Sequence, residues 1–230
     1  MGGDFPKVLA KAASKELVRH VLDRTASVCP TPTIVVGYGA SEVRAALGAK
    51  YRYVEQVGQR GTGHAVAAAG EVLKDVPMTS LAVLYGDHPL ITGEMVRGLA
   101  TMREAVGAAV AMGTIALPDF EGDRAGVFHF SRVVRDAGGK ITHTVEFKDA
   151  TEEEKKITEV NPAYYCFDPA WLWANIGRLK DENAAGEYYL PDMVKIALAD
   201  GRTVVSAPVA PHEGMGANTP AELAIVERYL

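Results

Sequence analysis

The segment Leu84-Tyr85-Gly86-Asp87-His88-Pro89 is the sharpest chemical feature of the chain: an apolar run ends in a carboxylate and a proline-containing turn. In open α/β sheets ligands bind beyond the carboxyl ends of the strands. An aspartate placed there can hold a hard divalent cation through oxygen, alongside substrate phosphates; an aspartate after a strand also serves simply to cap the turn. The second feature is the glycine-rich stretch Gln56 to His64, QVGQRGTGH. Glycines let the backbone approach a ligand closely, and a helix N-terminus offers free N–H groups to an anion or a base edge. A tight turn needs the same glycines. The stretch is not a P-loop, because no Gly-Lys-Ser/Thr follows. Nor is Gly37-Tyr38-Gly39 a dinucleotide fingerprint, because Glu42 occupies the third glycine position.

Other reactive side chains are less pointed. Lys7 follows Phe5-Pro6, which restricts the backbone just before it, and by itself reads as a solvated lysine near a terminus. His64 and His88 lie beside the two turns, but the six histidines show no clustering at metal-ligand spacing. Cys166, within Tyr164-Tyr165-Cys166-Phe167, reads as a core thiol, and Glu152 to Lys156 as a solvated helix face.

The elements that must position these residues alternate between β-branched runs and helical patterns, which predicts βαβ units around a mainly parallel, mixed sheet flanked by helices. Strands are predicted at Thr33–Val36, Arg52–Gln56, Leu81–Tyr85, Ala108–Ala116 and Thr203–Ala207, the third of them apolar throughout, like a buried parallel strand. Helices are predicted over Ser14–Ala26, Ser41–Leu47, Gly63–Leu73, Thr92–Ala105 and Tyr189–Ala199. Asp168-Pro169 opens another, and Thr219 to Glu222 is a capping box for the last, ending at Leu230. Ala125–Arg132 and Lys140–Phe147 flank the turn Asp136 to Gly139 and read as an antiparallel hairpin insertion, a lid or substrate lobe over one edge. No repeat or linker interrupts the chain, so one domain over residues 1–230 is expected.

Composition narrows the function classes. The 230 residues, 48% hydrophobic and 23% charged, describe a folded chain, and the formal charge of −5 argues against a nucleic-acid partner. The two cysteines, Cys29 and Cys166, form neither a disulfide framework nor a zinc motif. The longest uncharged apolar stretch, Val106 to Leu117, falls short of the ~20 residues that span a bilayer. A cytoplasmic protein without membrane partners is expected.

Taken in order, several motifs together resemble one family: Pro6-Lys7-Val8-Leu9; Gln56 with Gly61-Thr62-Gly63-His64-Ala65; Leu84-Tyr85-Gly86-Asp87 with Pro89-Leu90-Ile91; Val145-Glu146 with Lys148-Asp149-Ala150-Thr151; Glu159-Val160-Asn161; Asn183 with Gly186-Glu187-Tyr188-Tyr189 and Asp192; and Gly216-Ala217-Asn218. The chain resembles, over nearly its whole length, the uridylyltransferase domain of bacterial N-acetylglucosamine-1-phosphate uridylyltransferases, within the MobA-like nucleotidyltransferase superfamily. The resemblance implies a Rossmann-like fold of the nucleotide-diphospho-sugar transferase type, with the hairpin forming a sugar-binding lobe. It implies transfer of UMP from UTP to N-acetylglucosamine-1-phosphate, giving UDP-N-acetylglucosamine and pyrophosphate, with Mg²⁺ as cofactor. By the same match Asp87 and Asn218 would hold Mg²⁺ and Lys7 would neutralise phosphate oxygens. Gln56, Gly61 and Thr62 would contact the uracil, and Tyr85, Gly126, Glu146 and Asn161 the sugar.

The chain departs from the family's pattern in two places. Family domains open with a strand and a glycine-rich loop, L-x-A-G-x-G-T-R-M, whose amides wrap the triphosphate and whose arginine is catalytic; Met1 matches its final Met, so the first strand and phosphate loop are expected to be missing. Around Gly126 the family's Tyr-Gly-Arg is replaced by Ala125-Gly126-Val127, which leaves the sugar open. The family's β-helix acetyltransferase domain has no counterpart after Leu230, so neither acetyl transfer nor the associated trimer is expected, and the oligomeric state is left open. Two alternatives stand beside the main reading: a nucleotide-sugar-binding protein without catalysis, and a nucleotidyltransferase for another sugar-1-phosphate.

Overall fold

The computed structural model describes residues 5–230; the match of Met1 to the phosphate-loop methionine lies outside them. After a 3-10 turn at Lys7–Leu9 come β1 (Lys11–Ala12), β2 (Lys15–Glu16), α1 (Leu17–Thr25), β3 (Thr33–Val36), α2 (Ala40–Leu47), β4 (Arg52–Glu55), α3 (Thr62–Leu73), β5 (Leu81–Val83), α4 (Gly93–Val106) and β6 (Val110–Ala116). The second half holds β7 (Ser131–Arg135), β8 (Ile141–Val145), α5 (Glu152–Lys155), β9 (Glu159–Asn161), β10 (Tyr165–Phe167), α6 (Pro169–Asn175), α7 (Asp192–Ala199), β11 (Val204–Pro208) and α8 (Pro220–Glu227). Helices flank a mixed sheet, as the alternation of patterns predicts.

The sheet runs β5-β10-β6-β9-β7-β8, with β11 beside β6. Its spine is β6, buried on both faces, so its apolar residues are continuous rather than alternating. Val110 and Met112 pack with Phe167, Leu172 and Met193 on one face, and Ala111 and Ile115 with Leu99 and Val96 of α4 on the other. Among the described residues, parallel pairing between strands is confined to β6–β11 and to a separate pair, β3–β4. The strand predicted at Leu81–Tyr85 shortens to Leu81–Val83, is only half-buried, and has an antiparallel partner, β10. The reason is visible beside it. Among the described residues β3 pairs with β4 alone and β5 with β10 alone, and both strands line one cavity of about 1220 Å³, walled by Ile34, Val36, Val66, Leu81 and Val83. Two apolar strands thus each keep an edge without a ladder.

Local chemistry explains the remaining boundaries. The helix predicted from Ser14 begins at Leu17 because Ala13 and Ser14 take positive φ, 47° and 68°, in the tight turn between β1 and β2. The caps read from sequence form: Thr92 accepts from Met95 N–H, Asp168 from Trp171 N–H, and Thr219 and Glu222 make a reciprocal box. In the charged run after Thr151, Glu154 is more than solvated. The Thr151 backbone N–H, with His143 and the Thr151 hydroxyl, brings its carboxyl down to about 2.

The hairpin is β7–β8, closed by Asp136, whose Oδ1 accepts from the N–H groups of Gly138 and Lys140. It differs from expectation twice. Its first arm begins at Ser131, because Gly122–Val127 coils into a 3-10 turn pinned by the Arg124–Asp119 ion pair. And it does not lie over the sheet: β7 pairs with β9, which pairs with β6, so the hairpin extends the sheet. What fastens it is Arg132. This side chain is fully buried, surrounded by the rings of Phe120, Phe128 and Phe147, with its guanidinium donating to the carbonyls of Phe128, Phe130 and Lys155. Replacing it by an isosteric apolar chain leaves those carbonyls without a donor. Arg132→Met is expected to cost about 2 kcal/mol of stability, read as a lower urea midpoint at unchanged slope; an unshifted midpoint would show that the guanidinium does not hold the lobe.

Candidate active site

The turn after β5 carries Asp87, and two segments from opposite ends of the chain converge on it. Lys7 Nζ forms an ion pair with Asp87 Oδ2 and donates to Asn218 Oδ1 at 2.5 Å. Asn218 is placed by the α8 cap, its N–H donating to Glu222 Oε2 at 2.6 Å, and its neighbour Ala217 donates to the carbonyl of Asp87 at 3.1 Å. Lys7 is placed by Pro6 packing on Gly39. A Cβ built there would lie 2.1 Å from Pro6 Cγ, and the residue holds φ 64°, so only glycine fits. The Gly37-Tyr38-Gly39 stretch, which carries no fingerprint, therefore has a role as the seat of the lysine segment.

Burial by itself would raise the Asp87 carboxyl, but the charges of His88, when protonated, and of Lys7 outweigh it, so the group sits below its ordinary value. Burial pushes the His88 imidazole down against the pull of Asp87, which leaves Lys7 as the cation facing Asp87 at neutral pH. An anion and an amide oxygen thus point at one cationic position.

Beside this cluster lies a smaller pocket of about 240 Å³, lined by Thr62, Tyr85, His88, Phe130, Ser131, Glu146, Asn161 and Tyr189 among others. It is smaller than the ~300–1,000 Å³ of drug-sized sites, which suits a single ring. Ser131 Oγ donates to Glu146 Oε1 at 2.5 Å. Burial raises the Glu146 carboxyl, and Asp192 and Asp149 add to the effect, over the opposing pull of the Ser131 hydrogen bond. Asn161 is spent partly on the fold: its Oδ1 accepts from Ala163 N–H and its Nδ2 donates to Tyr165 Oη.

The glycine-rich stretch is strapped to the chain between residues 187 and 190. Gly63 N–H donates to the Tyr188 carbonyl at 2.7 Å, Tyr188 N–H to that of Arg60 at 2.9 Å, and Leu190 N–H to Thr62 Oγ1 at 3.0 Å. A Cβ on Gly61 would lie 2.7 Å from the Tyr188 carbonyl oxygen, so these glycines permit a backbone contact within the protein. Gln56 Nε2 donates to the Gly61 carbonyl at 2.8 Å, closing the loop on itself.

Of the residues singled out from sequence, the structure brings Lys7, Asp87 and Asn218 together at one point and Thr62, Tyr85, Glu146 and Asn161 around one pocket. Gln56 and Gly61 meet in the adjoining loop. Gly126 stands apart: it lies in the 3-10 turn, where a Cβ would meet only Glu222 Cγ, at 3.9 Å, beyond its chain neighbours, and it does not line the pocket of Glu146. Sequence reasoning passed over Ser131 and Phe130 as strand residues and His88 as an isolated histidine; only the pairing of β7 with β9 and the fold of the turn bring them inward. Among the described residues no three His, Cys, Asp or Glu side chains gather as a metal cage, and no helix is long and apolar enough to cross a membrane.

Comparison with known proteins gives this arrangement a context. A family model described as the MobA-like NTP transferase domain matches residues 1–184. The chain is similar to proteins named bifunctional protein GlmU: 38% identical over 226 residues in Brevibacillus brevis, 97% of this chain and 47% of that protein, and 41% over 231 residues in Cupriavidus taiwanensis, 99% and 48%. It therefore spans about half the length of the curated relatives it matches. Among solved structures, a nucleoside-diphosphate-sugar pyrophosphorylase of Vibrio cholerae RC9 superposes with a TM-score of 0.68 at 18% identity, covering 99% of this chain and 93% of its own. A CMP:2-keto-3-deoxy-manno-octonic acid synthetase complexed with CTP gives 0.63 at 18%, covering 96% and 90%. At such identities the structures show the fold alone, which is of the nucleotide-sugar transferase type.

The Glu146 carboxyl provides a test of the pocket. Its pKa in the folded state lies above the unfolded value, so ionisation begins to cost stability as pH rises through the unfolded value, and the cost is complete above the folded one. Glu146→Gln is expected to raise the thermal midpoint by a few degrees at pH 7, a gain that fades below about pH 4, where both states hold the proton. Thermal scans of both proteins from pH 3 to 8 decide it, and a gain independent of pH would remove the charge from the explanation.

Proposed function

Because the chain belongs to the MobA-like NTP transferase family, we propose that it transfers UMP from UTP to N-acetylglucosamine-1-phosphate, releasing pyrophosphate. The observation that carries this reading is the adjacency of two unlike sites: Asp87, aligned with Lys7 and Asn218, sits between Tyr85 and His88, both of which line the monosaccharide-sized pocket. In the reaction an oxygen of the sugar-1-phosphate bonds to the α-phosphorus of UTP, while the bond from that phosphorus to the bridging oxygen breaks and pyrophosphate departs. The attacking oxygen is already anionic, so position and charge neutralisation matter more than proton transfer.

Each group has a part in that scheme. Lys7 binds phosphate oxygens. Thr62 and Gln56, with the Gly61 backbone, receive the base, and Tyr85, Glu146 and Asn161 receive the sugar. Magnesium fits the donor set, since a carboxylate and an amide oxygen already converge on one cation and the ion usually takes few protein ligands beside phosphates and water. Asp87 and Asn218 would hold it, and it would supply positive charge to neutralise the nucleotide phosphates.

The open edges of β3 and β5 support a further part of the reading. A strand lying parallel between them would pair with both, fill the apolar cavity and join the two sheets. We propose that such a strand, with a glycine-rich loop leading toward Lys7, completes the triphosphate site. Pyrophosphate release from UTP and N-acetylglucosamine-1-phosphate, measured on the 230-residue chain and on one extended N-terminally by a strand and loop, tests this. The extension is expected to raise kcat/KM at least tenfold, and Asp87→Asn to remove ~10²–10³ of the rate in the active form. Activity in neither form would overturn the enzyme reading in favour of a binding protein, and a preference for another sugar-1-phosphate in a substrate panel would replace the acceptor.

A further inference from the structure

His88 lines the pocket and Tyr164 lies behind it, but the scheme above gives neither a role in the reaction, although both are among the most enclosed polar groups described: Tyr164 is fully buried and His88 is 8% exposed. Tyr164 Oη donates its only proton to the carbonyl of Glu213 at 2.7 Å. The contact of His88 Nδ1 with the same oxygen, at 3.0 Å, is then an N–H donated by the imidazole. The ring stacks on Phe130 at 6.0 Å, packs against Tyr85 at 5.5 Å and meets Tyr164 edge-on at 5.6 Å. Its opposite edge is covered by Gly216, where a Cβ would lie 2.8 Å from Cδ2 and Nε2.

These contacts share one object. Glu213, Gly216 and Ala217 belong to the loop that ends in Asn218, and Ala217 N–H reaches the carbonyl of Asp87, the residue before His88. The loop is pressed in at Gly214 as well, whose Cβ would lie 2.3 Å from Ile115 Cδ1. Close contact at two glycines, with a hydroxyl relay beside them, fixes how deep the loop sits.

We propose that His88 and Tyr164 are positioning residues that hold Asn218 in register with Asp87, so that the two oxygens address one cation. The proposal rests on the metal assignment made above. It gives the histidine of the Gly-Asp-His-Pro turn a function distinct from catalysis: the ring is a wedge between the cation cluster and the pocket wall at Phe130.

The test uses Tyr164→Phe, which keeps the ring and removes the relay, alone and combined with Asn218→Ala. Free manganese(II), followed by electron paramagnetic resonance in the presence of UTP, reports the affinity, and hydrogen exchange reports the amides of residues 214–218 without any ligand. Tyr164→Phe is expected to weaken manganese binding about tenfold with Asn218 present and to add nothing to the loss in Asn218→Ala. Exchange should quicken at residues 214–218 and not in β10. Gly216→Ala, which drives a methyl group against the imidazole, is expected to reproduce the loss from the other side. Unchanged affinity and exchange in both Tyr164→Phe and Gly216→Ala, or an equal loss with and without Asn218, would overturn the positioning role. Undiminished binding in Asn218→Ala would instead overturn the metal assignment itself, and with it the purpose of the register.

Discussion

A half-buried carboxylate at the end of β5 demands a cation, and the chain answers it from both ends. Lys7 and Asn218 are 211 residues apart and meet at Asp87. The lysine turn is anchored by buried Leu9, and the C-terminal loop by buried Met215 and Ala217. Each is seated by a glycine that allows backbone or ring contact: Gly39 under Pro6, Gly216 against His88. The electrostatic cluster therefore depends on close steric fits made elsewhere, and the loss of one glycine methyl-sized gap would move a charged group that it does not touch.

The same device organises the other side of the cleft. Gly61 and Gly63 let the loop after β4 lie against the backbone of Tyr188, and the hydrogen bonds they permit tie this glycine-rich loop to the segment that supplies Tyr189 to the pocket. Movement of one would be felt by the other, because two of the links, Gly63 to Tyr188 and Tyr188 to Arg60, are backbone bonds.

Much of this was legible in the sequence, and unevenly so. The caps at Thr92, Asp168 and Thr219 could be read because capping is a local exchange between a side chain and an amide three residues on. Asp87 stood out because an apolar run ending in a carboxylate is rare chemistry in a local window. Lys7 and Asn218 could be joined to it only through family resemblance, since no periodicity connects residues so far apart. The length of β5 was misjudged because apolar content reports burial by any neighbour, whereas a strand needs a partner on its edge. Ser131 and His88 were missed for a related reason: their significance lies in which strand or loop arrives opposite them. Residues 125–127, which read from sequence as the start of the Ala125–Arg132 arm, coil instead into the 3-10 turn that the Arg124–Asp119 pair pins.

Asp87 and Glu146 flank the same Tyr85 but are shifted in opposite directions. Asp87 has a lysine against it and is held below its ordinary value; Glu146 has Asp192 and Asp149 nearby, and burial raises it. The cleft is therefore polar along its length, with a cation-holding end and an end where negative charge is disfavoured. Tyr85, whose phenol is pushed up by burial, stays neutral between them. A ligand with an anionic group at one end and hydroxyl groups at the other satisfies both ends at once, its anion meeting Lys7 and its hydroxyls meeting Glu146 and Ser131. Reversed, the same ligand would set its anion beside Glu146, where negative charge is disfavoured, and away from Lys7. The two carboxylates thus differ in what they favour beside them, a cation at Asp87 and a neutral group at Glu146.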